Sequence, residues 1–297
     1  MSRSKGSLLV ILSAIIYGLV PLIAKIVYSQ GGTPLEASLL KGSLALPVLW
    51  LLMRYLHIPP RMAPEMHVSA FILSLGACFT QMLLFSSYQH ISSGLSTTLH
   101  FTYPVFVVLA CILFFQEKAS GIKLLCVTLC TVGIFLFYTP GESFNLFGAA
   151  LAFISGMTYA FYVVYLSRGK VQHLHPFALA FWSSLYTSIE TLIILLCTRS
   201  LTLALTPAGW GAAFLFSFFT TVIALVVFQM GLKIVGPQKA SILSTFEPIV
   251  SIVVGVIVYQ EPLGFRTAVG TALVLLAAIL LAAFDKTDSS NPESSRG

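Results

Sequence analysis

Charge is what this sequence has least of. Only 9% of its 297 residues are Asp, Glu, Lys or Arg, against about a quarter in a soluble domain. That scarcity excludes an ordinary water-facing surface. With 57% hydrophobic residues and a mean hydropathy of +0.94, most of the chain is suited to lipid. Acids are rarer than bases, 10 against 16, and the only aspartates, Asp285 and Asp288, follow the last apolar run. An intramembrane aspartyl dyad is therefore excluded. H-E-x-x-H, G-x-S-x-G and Walker A patterns are absent, which argues against a metalloprotease, a serine hydrolase and direct use of ATP. The five cysteines, Cys78, Cys111, Cys126, Cys130 and Cys197, form no C-x-x-C pair and have no histidine at zinc-ligand spacing. They read as small packing residues, with no metal and no cofactor implied. The net charge of +6 reads as basic loops held on the cytoplasmic side rather than as a nucleic-acid surface.

What is abundant is long apolar runs. A span needs roughly 20 apolar residues. Breaks at Gly, Pro and charge clusters predict ten, at about 6–28, 35–56, 67–89, 94–115, 120–138, 145–167, 175–198, 208–232, 238–259 and 264–284. The first run is too long for a signal-peptide core and reads as a retained span. The expected fold is an all-α polytopic membrane protein. The polar stretch 285–297 reads as a disordered cytoplasmic tail. Alternating sides along these spans puts Arg3, Lys5, Arg54, Arg61, Lys118, Lys123, Arg168, Lys170, Lys233, Lys239, Lys286 and Arg296 together, and Lys25, Lys41, Arg199 and Arg266 opposite, 12 against 4. Both termini are then expected in the cytoplasm, in a cell membrane.

One awkward segment is written twice. His100–Lys118 and Ser244–Pro262 each carry a proline followed by a Gln-Glu pair. Pro104 and Pro248, Gln116 and Gln260, and Glu117 and Glu261 all lie 144 positions apart. Ser13 and Tyr17 match Ser155 and Tyr159, and Pro34 matches Pro176, at an offset of 142. The chain thus divides into repeats over 6–138 and 145–284, five spans each. Five is odd, so the second repeat enters the bilayer from the opposite face. Inverted repeats of this kind build many secondary transporters, with substrate at midplane between them.

The paired P-x(11)-Q-E patterns, with Gly133 and Gly270 in the spans that follow, resemble the drug/metabolite transporter superfamily, specifically its EamA-type ten-span exporters. The resemblance covers about 6–284. It implies a central cavity walled by the first four spans of each half, with the fifth and tenth packed outside, and it implies export. The family often has glycine where this chain has Gln116 and Gln260.

Polar residues in spans usually face a cavity or another helix. Ser244, Glu247, Ser251 and Gly255 share a face of the ninth span, and Thr97, His100 and Tyr103 one of the fourth; Tyr103 aligns with Glu247. Trp182, Tyr186 and Glu190 are four apart on the seventh. Lys41 lies about two turns inside the second span, where snorkelling is its plain reading; the resemblance implies a basic residue at a binding site there. Candidate substrate-binding residues are Tyr17, Lys41, Gln81, His100, Tyr103, Tyr159, Trp182, Tyr186, Gln229, Ser244 and Glu247. Glu247 is expected to hold either a substrate amino group or a coupling proton. Each also has a purely structural reading: His100 as a packing donor, the tyrosines as core, Trp182 in an interfacial belt. Pro104 and Pro248 are expected to kink their helices.

These residues predict a secondary transporter, not an enzyme, for a small organic solute. Lys41 and Glu247 offer both charge signs, as a zwitterion requires, and the aromatics suit an apolar or planar remainder, so amino acids and similar amphipathic metabolites fit best. Drug-like amines and nucleotide-related metabolites are the alternatives within the resemblance. A channel or an intramembrane enzyme is the alternative outside it. The partners implied are that solute and the lipid bilayer, with no nucleic acid. The sequence is compatible with a monomer or a homodimer.

Overall fold

The computed structural model describes residues 3–116, 121–136, 145–168, 171, 174–235, 243–244 and 246–284, and among them the regular structure is helical, with no strand. Lipid offers the backbone no hydrogen bonds, so a segment that crosses it must satisfy its own. Among the described residues, seven helices are long and apolar enough to cross a membrane, and Leu124–Leu136, Phe246–Tyr259 and Phe265–Leu280 are shorter apolar helices. Seven and three account for the ten expected spans.

Several spans begin on proline: Pro34, Pro64, Pro176 and Pro207. A first-turn proline gives up only an N–H that has no helical partner. Thr33 and Glu36 close a reciprocal capping box at the start of the second span. Three spans are broken, each two to three residues before a proline. The first divides into Arg3–Gly18 and Val20–Ser29 before Pro21; the second into Pro34–Ser43 and Ala45–Tyr55 before Pro47; the fourth into Ser93–His100 and Tyr103–Phe115 before Pro104. Each proline removes a donor and crowds the carbonyl four residues back. The expected break at Pro104 is present. Pro248 lies near the start of Phe246–Tyr259, and residues 236–242 and 245 before it are outside the described residues.

The repeat is visible in the backbone. His57 and Arg199, which follow the second and seventh spans, are left-handed at φ 54° and 52°. They are 142 positions apart. Gln116 and Gln260, which follow the fourth and ninth spans, are left-handed at φ 55° and 52°. A left-handed helix stop favours glycine, yet both repeats place glutamine at this second pair of positions. Glu117 lies outside the described residues.

Packing repeats as well. The third span lies on the sixth, and its mate, the eighth, on the first; the fourth lies on the sixth, and the ninth on the first. The second meets the seventh and the fourth meets the ninth. The fifth and tenth pair with one another, crossing where a Cβ on Gly133 would come within 2.8 Å of the Gly270 carbonyl. Large apolar side chains such as Tyr55, Phe114 and Phe135 are exposed on the periphery, as a lipid-facing surface requires.

Candidate functional site

The site starts at Gly18. A Cβ there would collide with Val250 and come within 2.8 Å of the Glu247 carbonyl. Glycine therefore lets the first span press on the ninth, and Tyr17 comes within the field of Glu247. From the second span, Lys41 interacts electrostatically with the same carboxyl group. The two are not ion-paired: among the described residues the only salt bridge is Lys25–Glu261. Lys41, Glu247, Tyr17, Tyr103, Tyr159 and Tyr162 are all half-covered.

The position of Lys41 is set by its neighbours. Its carbonyl accepts bonds from Ser217 Oγ at 2.7 Å and Thr221 Oγ1 at 3.2 Å. Thr221 belongs to a π-helical stretch, Phe218–Ala224, in the middle of the eighth span. Such stretches loosen the backbone ladder and occur often at functional sites. Next to Lys41, Gly42 leaves room for Ser184 and Ser188 of the seventh span.

Aromatic side chains gather around Tyr159. Tyr159 meets Tyr103 edge-on at 4.8 Å, His100 at 5.2 Å and stacks on Tyr162 at 5.7 Å. The charge of Glu247 reaches Tyr159 and Tyr88. His100 is buried, with Nδ1 3.0 Å from Ser155 Oγ. Ser155 already donates to the Ala152 carbonyl at 2.6 Å, so it accepts from His100 Nδ1–H. Gly156 allows this approach, since a Cβ there would lie 2.8 Å from the His100 carbonyl.

The other expected residues are placed differently. Trp182 Nε1 donates to the Pro60 carbonyl at 2.9 Å, and Tyr186 Oη lies 2.6 Å from His67 Nδ1. Both thus gather with His67 where the third and seventh spans meet. Gln81 is half-buried and its Oε1 is buried without a donor. Ser244 is half-buried in a short helical stretch before the ninth span, whereas the side chain of Gln229 is outside the described residues. Ser251, on the Glu247 face, is 3.0 Å from Thr97 Oγ1 and ties the ninth span to the fourth.

Three features escaped the sequence reading of the site. Tyr162 follows Tyr159 by three residues and shares its helix face, a signal that was available. Tyr88 follows the third span and had none. A third is a network at one end of the molecule. Glu261 accepts from Lys25 Nζ at 2.5 Å, from Ser93 Oγ at 2.8 Å and from Ser93 N at 2.9 Å. Lys25 also lies over the Tyr259 ring at 4.5 Å. The network joins the ends of the first, fourth and ninth spans.

The model of the EamA-like transporter family matches the chain twice, over residues 4–139 and 146–283. The chain belongs to this family. An uncharacterized transporter of Synechocystis sp. is 27% identical, covering 93% of this chain and 92% of its own. One from Archaeoglobus fulgidus is 26% identical over 93% and 96% of the two chains. The Bacillus subtilis uncharacterized transporter YcbK is 27% identical over 89% and 88%. A solved crystal structure of a protein superposes with a TM-score of 0.68 at 15% identity, covering 96% of this chain and 100% of that one, a likeness of fold. This is a multi-pass integral membrane transporter of ten spans in two repeats.

Proposed function

We propose that the chain is a secondary transporter for small zwitterionic metabolites, amino acids foremost, moved out of the cell by alternating access. The observation that carries this reading is the pair Lys41 and Glu247, within each other's field yet not in contact. An acidic and a basic group that do not pair with each other, with tyrosines close by, fit a solute that bridges them. Its carboxylate meets Lys41, its ammonium meets Glu247, and its remainder lies against Tyr17, Tyr103, Tyr159 and His100. Each protein charge then gains the partner it otherwise lacks, and solute binding repays part of the cost of keeping it in the membrane. The excess of basic residues on one face supports termini in the cytoplasm. The absence of catalytic motifs supports transport without chemistry.

The test is a thermal-shift series on detergent-purified protein. An amino acid should stabilise it, while its amide and its deaminated analogue should not, because each lacks one charge. Equal stabilisation by all three would reject two-charge recognition. Drug-like amines are the second reading, favoured by the tyrosines and Glu247 alone. They would stabilise the protein without any carboxylate.

A further inference from the structure

Glu190 has no part in the site above. It lies in the seventh span, only 4% exposed. One carboxyl oxygen accepts from Ser74 Oγ of the third span at 2.5 Å. The other, Oε2, is buried with no hydrogen-bond partner among the described residues. The position has no counterpart in the other repeat: at the 142-residue offset the mate of Glu190 is Val48. One half of the molecule has acquired a carboxyl group that the other lacks.

The surroundings fix what ligand this group can hold. The third and seventh spans meet along a ladder of polar contacts: Pro60 with Trp182, His67 with Tyr186, Ser74 with Glu190, and Cys78 Sγ with Thr191 Oγ1 at 3.3 Å. Among the described side chains, the titratable groups facing the seventh span from the third are His67, which meets Tyr186, and Cys78, a thiol. From the second span the only basic group near is Lys41, which interacts with Glu247. Lys233 of the eighth span has its side chain outside the described residues. Among the described residues Glu190 forms no ion pair. Ionised here, it would be a buried charge with one donor and no cation, a costly arrangement. Protonated, it is neutral and compatible with the packing seen.

We propose that Glu190 is a proton-binding site, and that its neutral form is the clasp between the third span and the seventh, with Ser74 donating to the carbonyl oxygen of the acid. When the proton leaves to water the carboxylate needs solvation, and the two spans part around Ser74 and Cys78. When a proton returns they close. In a transporter such a clasp links proton occupancy to the shape of the substrate space, since the third span also packs on the sixth, which carries Tyr159 and Tyr162. This rests on the transporter reading for its purpose but not for its existence.

The experiment uses the full-length protein in lipid and protons as the probe. Infrared spectra recorded across a pH titration should contain a protonated-carboxyl C=O band that vanishes as pH rises. Glu190→Gln should lose that band. Ser74→Ala should keep it and shift it to higher frequency, because the carbonyl loses its hydrogen bond, and this variant locates the group if the glutamine protein folds poorly. In parallel, N-ethylmaleimide labelling of buried Cys78, read by mass spectrometry relative to exposed Cys197, should climb with pH in the wild type and climb less in Glu190→Gln. A spectrum from which Glu190→Gln removes no titrating band, or a Cys78 to Cys197 ratio that rises equally in both proteins, would overturn the proposal. Neither readout requires transport, so failure to find a substrate leaves the outcome intact.

Discussion

Lys41 and Glu247 are each expensive in a membrane, about 3 kcal/mol apiece at the centre of a span by insertion scales. Among the described residues no ion pair neutralises either, so we expect their value to be realised on binding. Removing one member of a buried charge pair costs about 2 kcal/mol or more, at least tenfold in affinity. Lys41→Ala and Glu247→Gln should each weaken binding of a zwitterionic solute by about tenfold or more in a titration, while the thermal midpoint of the unliganded protein changes little or rises. Unchanged affinity in both would remove these residues from the site. A second residue-scale expectation concerns Gly255. A Cβ there would run into the carboxylate of Glu261. Gly255→Ala should push Glu261 away from Lys25 and Ser93. Ser93→Cys should then react faster with a membrane-impermeant thiol reagent in the alanine background than in the glycine one. Equal rates would mean the network tolerates the methyl group.

At the scale of the element, the ten spans and their repeat were legible because apolar length and proline position are written into the chain. The broken helices at Pro21 and Pro47 carry the same signal as the one at Pro104, since a proline inside a span interrupts the ladder wherever it falls. The π-helical stretch at Phe218–Ala224 was not legible, because no residue there forces an extra residue into the turn; it accompanies the Ser217 and Thr221 bonds to the Lys41 carbonyl. The pairing of Trp182 with Pro60 and of Tyr186 with His67 was equally hidden. Spacing by four puts residues on one face of a helix but does not say which neighbour that face meets. Gly133 and Gly270 show the reverse case, where small residues in equivalent spans mark a close crossing. Gly133→Leu should force the fifth and tenth spans apart. It should lower the thermal midpoint while leaving solute affinity within about threefold, since mutations at sites that share no partners act independently. A large loss of affinity with normal stability would tie this crossing to the binding site.

For the whole molecule, two five-span repeats that cross the bilayer in opposite senses, as we propose, would make its two ends equivalent by construction. The Lys25–Glu261–Ser93 network ties the first, fourth and ninth spans together at the end to which the basic-residue count assigns the outside. If the termini are cytoplasmic, Arg199→Cys should label with an impermeant reagent from outside and Lys170→Cys only after the membrane is opened. Labelling of both from one face would refute the opposed arrangement. The account stands most directly on movement of solute between Lys41 and Glu247. The decisive measurement is counterflow in liposomes: vesicles loaded with an unlabelled amino acid that stabilises the protein, diluted into a trace of the labelled one. Wild-type vesicles should accumulate label transiently above the outside concentration, which a carrier does and a channel does not, and Glu247→Gln vesicles should accumulate far less. Equilibration without overshoot, or an overshoot equal in the two proteins, would contradict the account.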